Sequence, residues 1–382
     1  MPWHFGMEEG LKKEKVLLIV CIPILCFLGI VMYQERYMGY EIYLARNEKV
    51  LNNDGAECDI PGHVYNQVSE HFLIDAEVLT GKDFDPQNVH YGKAYALYPD
   101  HSVVKGTLGR RIDVKRKRNK YSRLREYNWL TDTELLLVNA NMIYYDNFNI
   151  TDSVMAATWF CDSYTNNQEL ERVWSESLTD FSGGEAQNLA EHIREELGYE
   201  TYVCDEVHTV SLEMLRKQQH SLEDMGYDFS EFANEDGDVF SKEQEGYFLY
   251  YHAYVNGLCI AEPDYYSVSE MGNLAGEPTF YITKEGVRYC KLGNNYRFKL
   301  REETVPLLNF NEVCNSICAE YESLDRGMLV MDRIWLMELP VQIDRDVYEL
   351  IPVWCCYATD EMDVRQVLVV NAVTGETMDN WD

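Results

Sequence analysis

The sequence predicts an α+β protein with one N-terminal transmembrane helix, followed by an ectodomain with a β-rich part and two helix-plus-three-strand antiparallel modules. Three observations carry that expectation. Val16–Tyr33 is an uncharged apolar run, alternating strand-like segments extend from Val68 to Asn149, and a helix followed by three strand-like runs occurs twice. The chain divides accordingly into a tail (1–15), the spanning helix (16–33), a stalk (34–60), a β-rich region (61–182) and two modules (183–300 and 301–382).

The apolar run reads VLLIVCIPILCFLGIVMY, eighteen residues. At about 1.5 Å per residue, a helix of that length approaches the thickness of bilayer hydrocarbon. Lys12, Lys13 and Lys15 precede it. The positive-inside rule then places the N-terminus in the cytoplasm and the bulk of the chain outside. Tyr33, Tyr37, Tyr40 and Tyr43 recur at helical spacing, as an interfacial belt would. No small-x-small cleavage site follows Tyr33. Val20 and Leu25 precede Cys21 and Cys26, where a lipoprotein needs a small residue, so the run reads as a retained single-pass anchor.

The 382 residues carry 33 Lys and Arg against 65 Asp and Glu, a net charge of −32. That balance argues against nucleic acid, which requires a basic surface. A hydrophobic content of 46% with 28 tyrosines supports a buried core rather than disorder. Eleven cysteines are too sparse for a disulfide scaffold. In apolar patterns they act as small hydrophobes, a usage that suits an organism living without oxygen.

In the β-rich region Phe72–Val78 and Leu135–Ala140 are short strand-like runs. From Gly184 the period changes. Ala186, Leu189, Ala190, Ile193 and Leu197 form the stripe of a helix lying on a sheet, and Gly198 ends it. Strands are predicted at Thr201–Val210, Gly246–Val255 and Thr279–Tyr289. Asn309 and Glu312 then have capping-box spacing, ahead of a helix that buries Val313, Cys314, Ile317, Cys318 and Tyr321. Strands follow at Met331–Leu339, Tyr348–Tyr357 and Val364–Val373.

Leu350-Ile351-Pro352-Val353-Trp354, with Gln366 to Glu376 (QVLVVNAVTGE), resembles the closing hairpin of PepSY-like domains. It also resembles the C-terminal repeats of membrane-anchored accessory proteins that restrain a Gram-positive sensor kinase. The wider layout, with Tyr251–Gly257 (YHAYVNG) and Tyr281–Val287 (YITKEGV), is similar to a family of envelope-anchored proteins from clostridial bacteria. The resemblance covers the chain from about residue 183 onward. It implies PepSY-like modules and a regulatory role, and it transfers no catalytic residue.

Two segments could carry chemistry. Lys105, Arg110, Arg111, Lys115, Arg116, Lys117, Arg118, Lys120, Arg123 and Arg125 crowd one stretch. They suit a dock for anionic headgroups, an anionic wall polymer or an acidic partner, or else a solvated hairpin that offsets an acidic body. In Phe232–Glu243, the residues Asn234, Asp236, Asp238 and Glu243 fall at positions 3, 5, 7 and 12 of a calcium loop. Phe232 occupies position 1, where Asp belongs. No cofactor other than Ca2+ at this loop is expected. Cys314 and Cys318 share one helix face at i, i+4, but that face is the apolar one, so they read as core. Metalloprotease, nucleophile-elbow and phosphate-loop signatures are absent from the sequence. The sequence thus predicts a membrane-tethered extracytoplasmic interaction or regulatory accessory module without catalytic activity, binding an envelope protein or peptide. The alternative is a calcium- or anionic-polymer-binding envelope protein.

Overall fold

Fifteen strands form one continuous hydrogen-bonded network in the computed structural model. The structure describes residues 60–81, 84–110, 112, 127–139, 142–158, 177–224, 226–234, 237–261, 278–322, 328–360 and 365–378. In chain order the elements are β1 (His63–Gln67), β2 (Phe72–Leu79), β3 (His90–Leu97), α1 (His101–Thr107), β4 (Tyr127–Leu130), β5 (Glu134–Val138), β6 (Ile143–Asn147), α2 (Phe148–Thr158), α3 (Gly183–Glu196), β7 (Tyr202–Val210) and α4 (Leu212–Asp224). They continue with β8 (Gly246–Val255), β9 (Leu258–Ile260), β10 (Thr279–Thr283), β11 (Gly286–Leu292), β12 (Asn295–Thr304), α5 (Phe310–Glu322), β13 (Leu329–Asp344), β14 (Val347–Asp360) and β15 (Arg365–Asn371).

One half of the network is antiparallel, in the order β4-β5-β6-β11-β10-β8-β7. Successive residues of β8 point to opposite faces. Tyr247, Leu249, Tyr251 and Ala253 meet the α3 stripe of Ala186, Ala190 and Ile193. Phe248, with Tyr281 and Tyr289, meets Val154 and Ala157 of α2 and Met214, Leu215 and Leu222 of α4. Helices therefore cover both faces, which explains why β8 and β10 are buried almost throughout.

The other half is built on the long β13–β14 hairpin. β13 pairs in parallel first with β2 and then with β9, while β14 takes β15 along one stretch and β3 along the next. Ile334, Leu336, Trp354, Cys356 and Ala358 face Phe310, Val313 and Ile317 of α5. Met337, Leu339, Ile351, Val353 and Cys355 form a second apolar layer on the reverse face.

The two halves are joined by the β8–β9 hairpin. Its turn, Asn256-Gly257, has φ +56° and +73°, as a two-residue hairpin loop requires. Gly81 lies against this turn: a Cβ on it would stand 1.6 Å from the Gly257 carbonyl oxygen.

This architecture corrects the predicted fold class. The two expected modules do not each own a sheet. β12, from the first, pairs with β3 of the β-rich region, and the β13 strand of the second pairs in parallel with β2. Each amphipathic helix needs a wide sheet to cover, and here that sheet is assembled from strands distant in sequence. The single-pass topology is corrected as well. Val16–Tyr33 lies outside the described residues, and among the described residues no helix is long and apolar enough to cross a membrane. The longest of them, α3, has 14 residues, about 21 Å, and is amphipathic. The membrane anchor, the cytoplasmic N-terminus and the extracytoplasmic placement that rested on it therefore have no support from the described chain.

Candidate functional site

β12 alternates charge with apolar side chains. Arg297, Lys299 and Arg301 fall on one face, and Tyr296 and Phe298 fall on the other. Tyr296 is buried against Tyr348, with ring centroids 5.4 Å apart, and this anchors the strand. The ladder to β3 sets Arg297 opposite Tyr95 and Lys299 opposite Lys93. The next ladder sets Lys93 opposite Glu349 of β14. Directly opposed residues share a face. Lys93, Arg297, Lys299 and Arg301 thus form one cationic strip across β12 and β3, bordered by Tyr91 and Tyr95.

The strip has a defined geometry. Arg297, Lys299 and Arg301 are exposed and Lys93 is half-buried. The Arg297 guanidinium carbon lies 5.7 Å from the centre of the Tyr95 ring, within cation–π range. Arg301 Nη2 stands 3.8 Å from Glu349 Oε1, and the Glu349 side chain is only 5% exposed. Burial pushes the Tyr91 hydroxyl pKa up, partly opposed by Arg301 and reinforced by Glu349. Arg301 approaches Glu349 and Lys93 opposes it across the β3–β14 ladder, so this acid lies at the buried floor of the strip. The sheet fixes the backbone spacing of these cations, and a ligand orders their exposed side chains on binding. The arrangement can bind anions.

Sequence reasoning had placed the cationic site elsewhere. Lys105 is spent locally: its Nζ donates to the carbonyls of Gly109 and Ile112, both at 2.8 Å, closing the turn after α1. Arg110 Nε donates to the Gly106 carbonyl. Arg111, Lys115, Arg116, Lys117, Arg118, Lys120, Arg123 and Arg125 lie outside the described residues. The signal for the strip was present as the two-residue period of Arg297, Lys299 and Arg301, but the denser run at 105–125 outweighed it.

In the calcium-like loop, Asn234 Oδ1 accepts from the Asp238 amide at 3.0 Å, so this oxygen closes its own turn. Gly237 sits there at φ +86°. Glu243 belongs to a short 3-10 turn, Lys242–Gln244, and Asp236 lies outside the described residues. Among the described residues no group of three or more His, Cys, Asp or Glu could hold a metal ion. Burial pushes the Cys314 thiol up to about 11, away from the thiolate that metals prefer.

A second polar constellation lies between β7 and β8. A bulge in β7 makes Asp205 an extra residue. Asp205 Oδ2 lies 2.7 Å from His252 Nδ1 and accepts from the Tyr254 hydroxyl at 2.8 Å. The His252 ring stands edge-on to Trp335, with centroids 5.6 Å apart. Beside it, His208 Nε2 and Glu206 Oε2 are 2.7 Å apart, and this hydrogen bond holds the Glu206 carboxyl below its usual range. Burial pushes the Tyr254 hydroxyl upward. Asp205 orients the imidazole and fixes which nitrogen carries the proton. The cluster staples β7 to the central strand.

No protein-family model matches the chain. No curated protein matches it either. Among solved structures it is similar to an uncharacterized protein from Eubacterium rectale ATCC 33656. The two share 15% identity over 88% of this chain and 98% of that chain, with a TM-score of 0.57. At that identity the likeness shows the fold alone.

Proposed function

We propose that this chain is a non-catalytic binding module that captures an anionic partner on the cationic face of β12, β3 and β14. One observation supports this reading above the others: a chain of net charge −32 concentrates Lys93, Arg297, Lys299 and Arg301 on one rigid face. Dispersed cations would suffice to offset an acidic body, whereas a strip with aromatic borders is shaped for recognition. The acidic body does not defeat such binding. At 0.1 M salt the Debye length is about 10 Å, so charges beyond the strip's surroundings are largely screened.

The test is the fluorescence anisotropy of labelled polyglutamate titrated with the full chain at 0.1 M salt. Exposed ion pairs contribute about 0.2–1 kcal/mol each. Reversing three of them (R297E, K299E and R301E together) should therefore weaken binding by roughly tenfold or more. Equal binding by the parent chain and the triple variant, both folded by circular dichroism, contradicts the reading.

A further inference from the structure

We infer that the anionic occupant is an extended acidic polypeptide that adds as a new strand along the outer edge of β12; this rests on the reading that the β12 face binds anions. β12 is ten residues long and, among the described residues, is paired on one side only, with β3. Residues 297 and 299–304 are exposed. In an antiparallel ladder every second residue directs its amide and carbonyl away from the partner strand. Such an edge accepts another strand through main-chain hydrogen bonds.

The spacing of the cations matches that occupant. Side chains on one face of a strand repeat at about 6.7 Å, twice the rise per residue. Arg297 and Lys299 therefore stand in register with alternate carboxylates on an added strand, and Arg301 lies just past the regular ladder, at the register shift between Leu300 and Thr304. The intervening position is also defined. Leu300 is 41% exposed and lies on the opposite face, where it would meet an apolar residue of the partner. The register shift after Leu300 and the acids Glu302 and Glu303 end the strip, so the partner's acidic stretch spans about two alternate positions. The occupant is a short strand in which acidic and apolar residues alternate.

The same charges explain selectivity. Lys and Arg on an edge strand disfavour indiscriminate strand pairing. The Arg297–Lys299 stretch favours an acidic partner strand over a basic one. At low ionic strength, where screening is weak, the net charge of −32 adds a second filter by repelling a large acidic body. A short acidic segment on an otherwise neutral or basic partner passes both.

Labelled ten-residue peptides separate strand addition from plain charge attraction. One alternates Glu with Val. A second has the same composition with its glutamates contiguous. Two more repeat the alternating sequence with N-methyl groups on one or the other alternate set of amides. Strand addition predicts that the alternating peptide binds the full chain more tightly than its isomer. It also predicts that one methylated set loses affinity about tenfold while the other keeps it, because only one set of amides faces β12. If all four bind alike, strand addition is wrong while anion binding stands. If polyglutamate binds and no peptide does, strand addition is again wrong. If neither polyglutamate nor peptide binds, both readings fall.

Discussion

Glu338 is fully buried on β13, and its Oε1 accepts from Asn256 Nδ2 at 2.7 Å. The same amide nitrogen donates to the His90 carbonyl at 2.8 Å, so one side chain ties the β8–β9 turn to both β3 and β13. Glu338 Oε2 and Asn256 Oδ1 are both buried without a hydrogen-bond partner among the described residues. Burial of these atoms away from water favours the neutral carboxyl. Burial accordingly pushes the Glu338 pKa up to about 8, slightly opposed by the Asn256 hydrogen bond. The folded state binds this proton more tightly than the unfolded one, whose reference value is 4.5. Stability from this group is therefore full below pH 4.5, falls as pH rises toward 8, and is flat beyond. The total loss is on the order of 3–5 kcal/mol. In E338Q the amide oxygen can still accept from Asn256 without titrating. Urea unfolding between pH 5 and pH 9 should show the variant losing the downward slope of the parent. Parallel pH profiles for the two chains would contradict the assignment.

At the scale of elements, sequence legibility followed locality. α3 is readable because its stripe and its stop lie within one stretch, and the structure adds the capping box of Ser182 and Glu185 at its start. α5 was readable for the same reason: the Asn309 amide donates to Glu312, and Val313 and Ile317 are buried as expected. α4 was missed because its buried set, Met214, Leu215 and Leu222, is sparse within a charged sequence. Thr279–Tyr289 has the pattern of one strand, yet it folds as the β10–β11 hairpin. Its turn ends at Gly286, φ +115°, without the Asn-Gly or Asp-Gly pair that announces a turn. Asn256-Gly257 carries that signal and makes the hairpin linking the halves. Its contact with Gly81 was invisible to any local pattern. G81A should cost more than about 2 kcal/mol, since the new methyl meets a backbone carbonyl rather than a movable side chain. G62A, with open space around it, should stay within about 0.5 kcal/mol. Equal unfolding midpoints in urea for both variants would show that the turn is not clamped there.

At the scale of the molecule, topology and charge were the least legible. The parallel pairing of β2 with β13 joins residue 72 to residue 329, and periodicity carries no record of such partners. The cationic face has the same origin. Lys93 and Arg301 belong to separate stretches and become neighbours only because β3 is inserted between β12 and β14. The charge run at 105–125 was conspicuous in sequence, yet its described members, Lys105 and Arg110, are engaged with their own backbone. The central claim is therefore one of location. Hydrogen–deuterium exchange of the full chain, with and without polyglutamate at 0.1 M salt, tests it most directly. Protection is predicted in segments covering 90–97 and 295–304. Protection concentrated in 105–125, or no change anywhere in the chain, would contradict it.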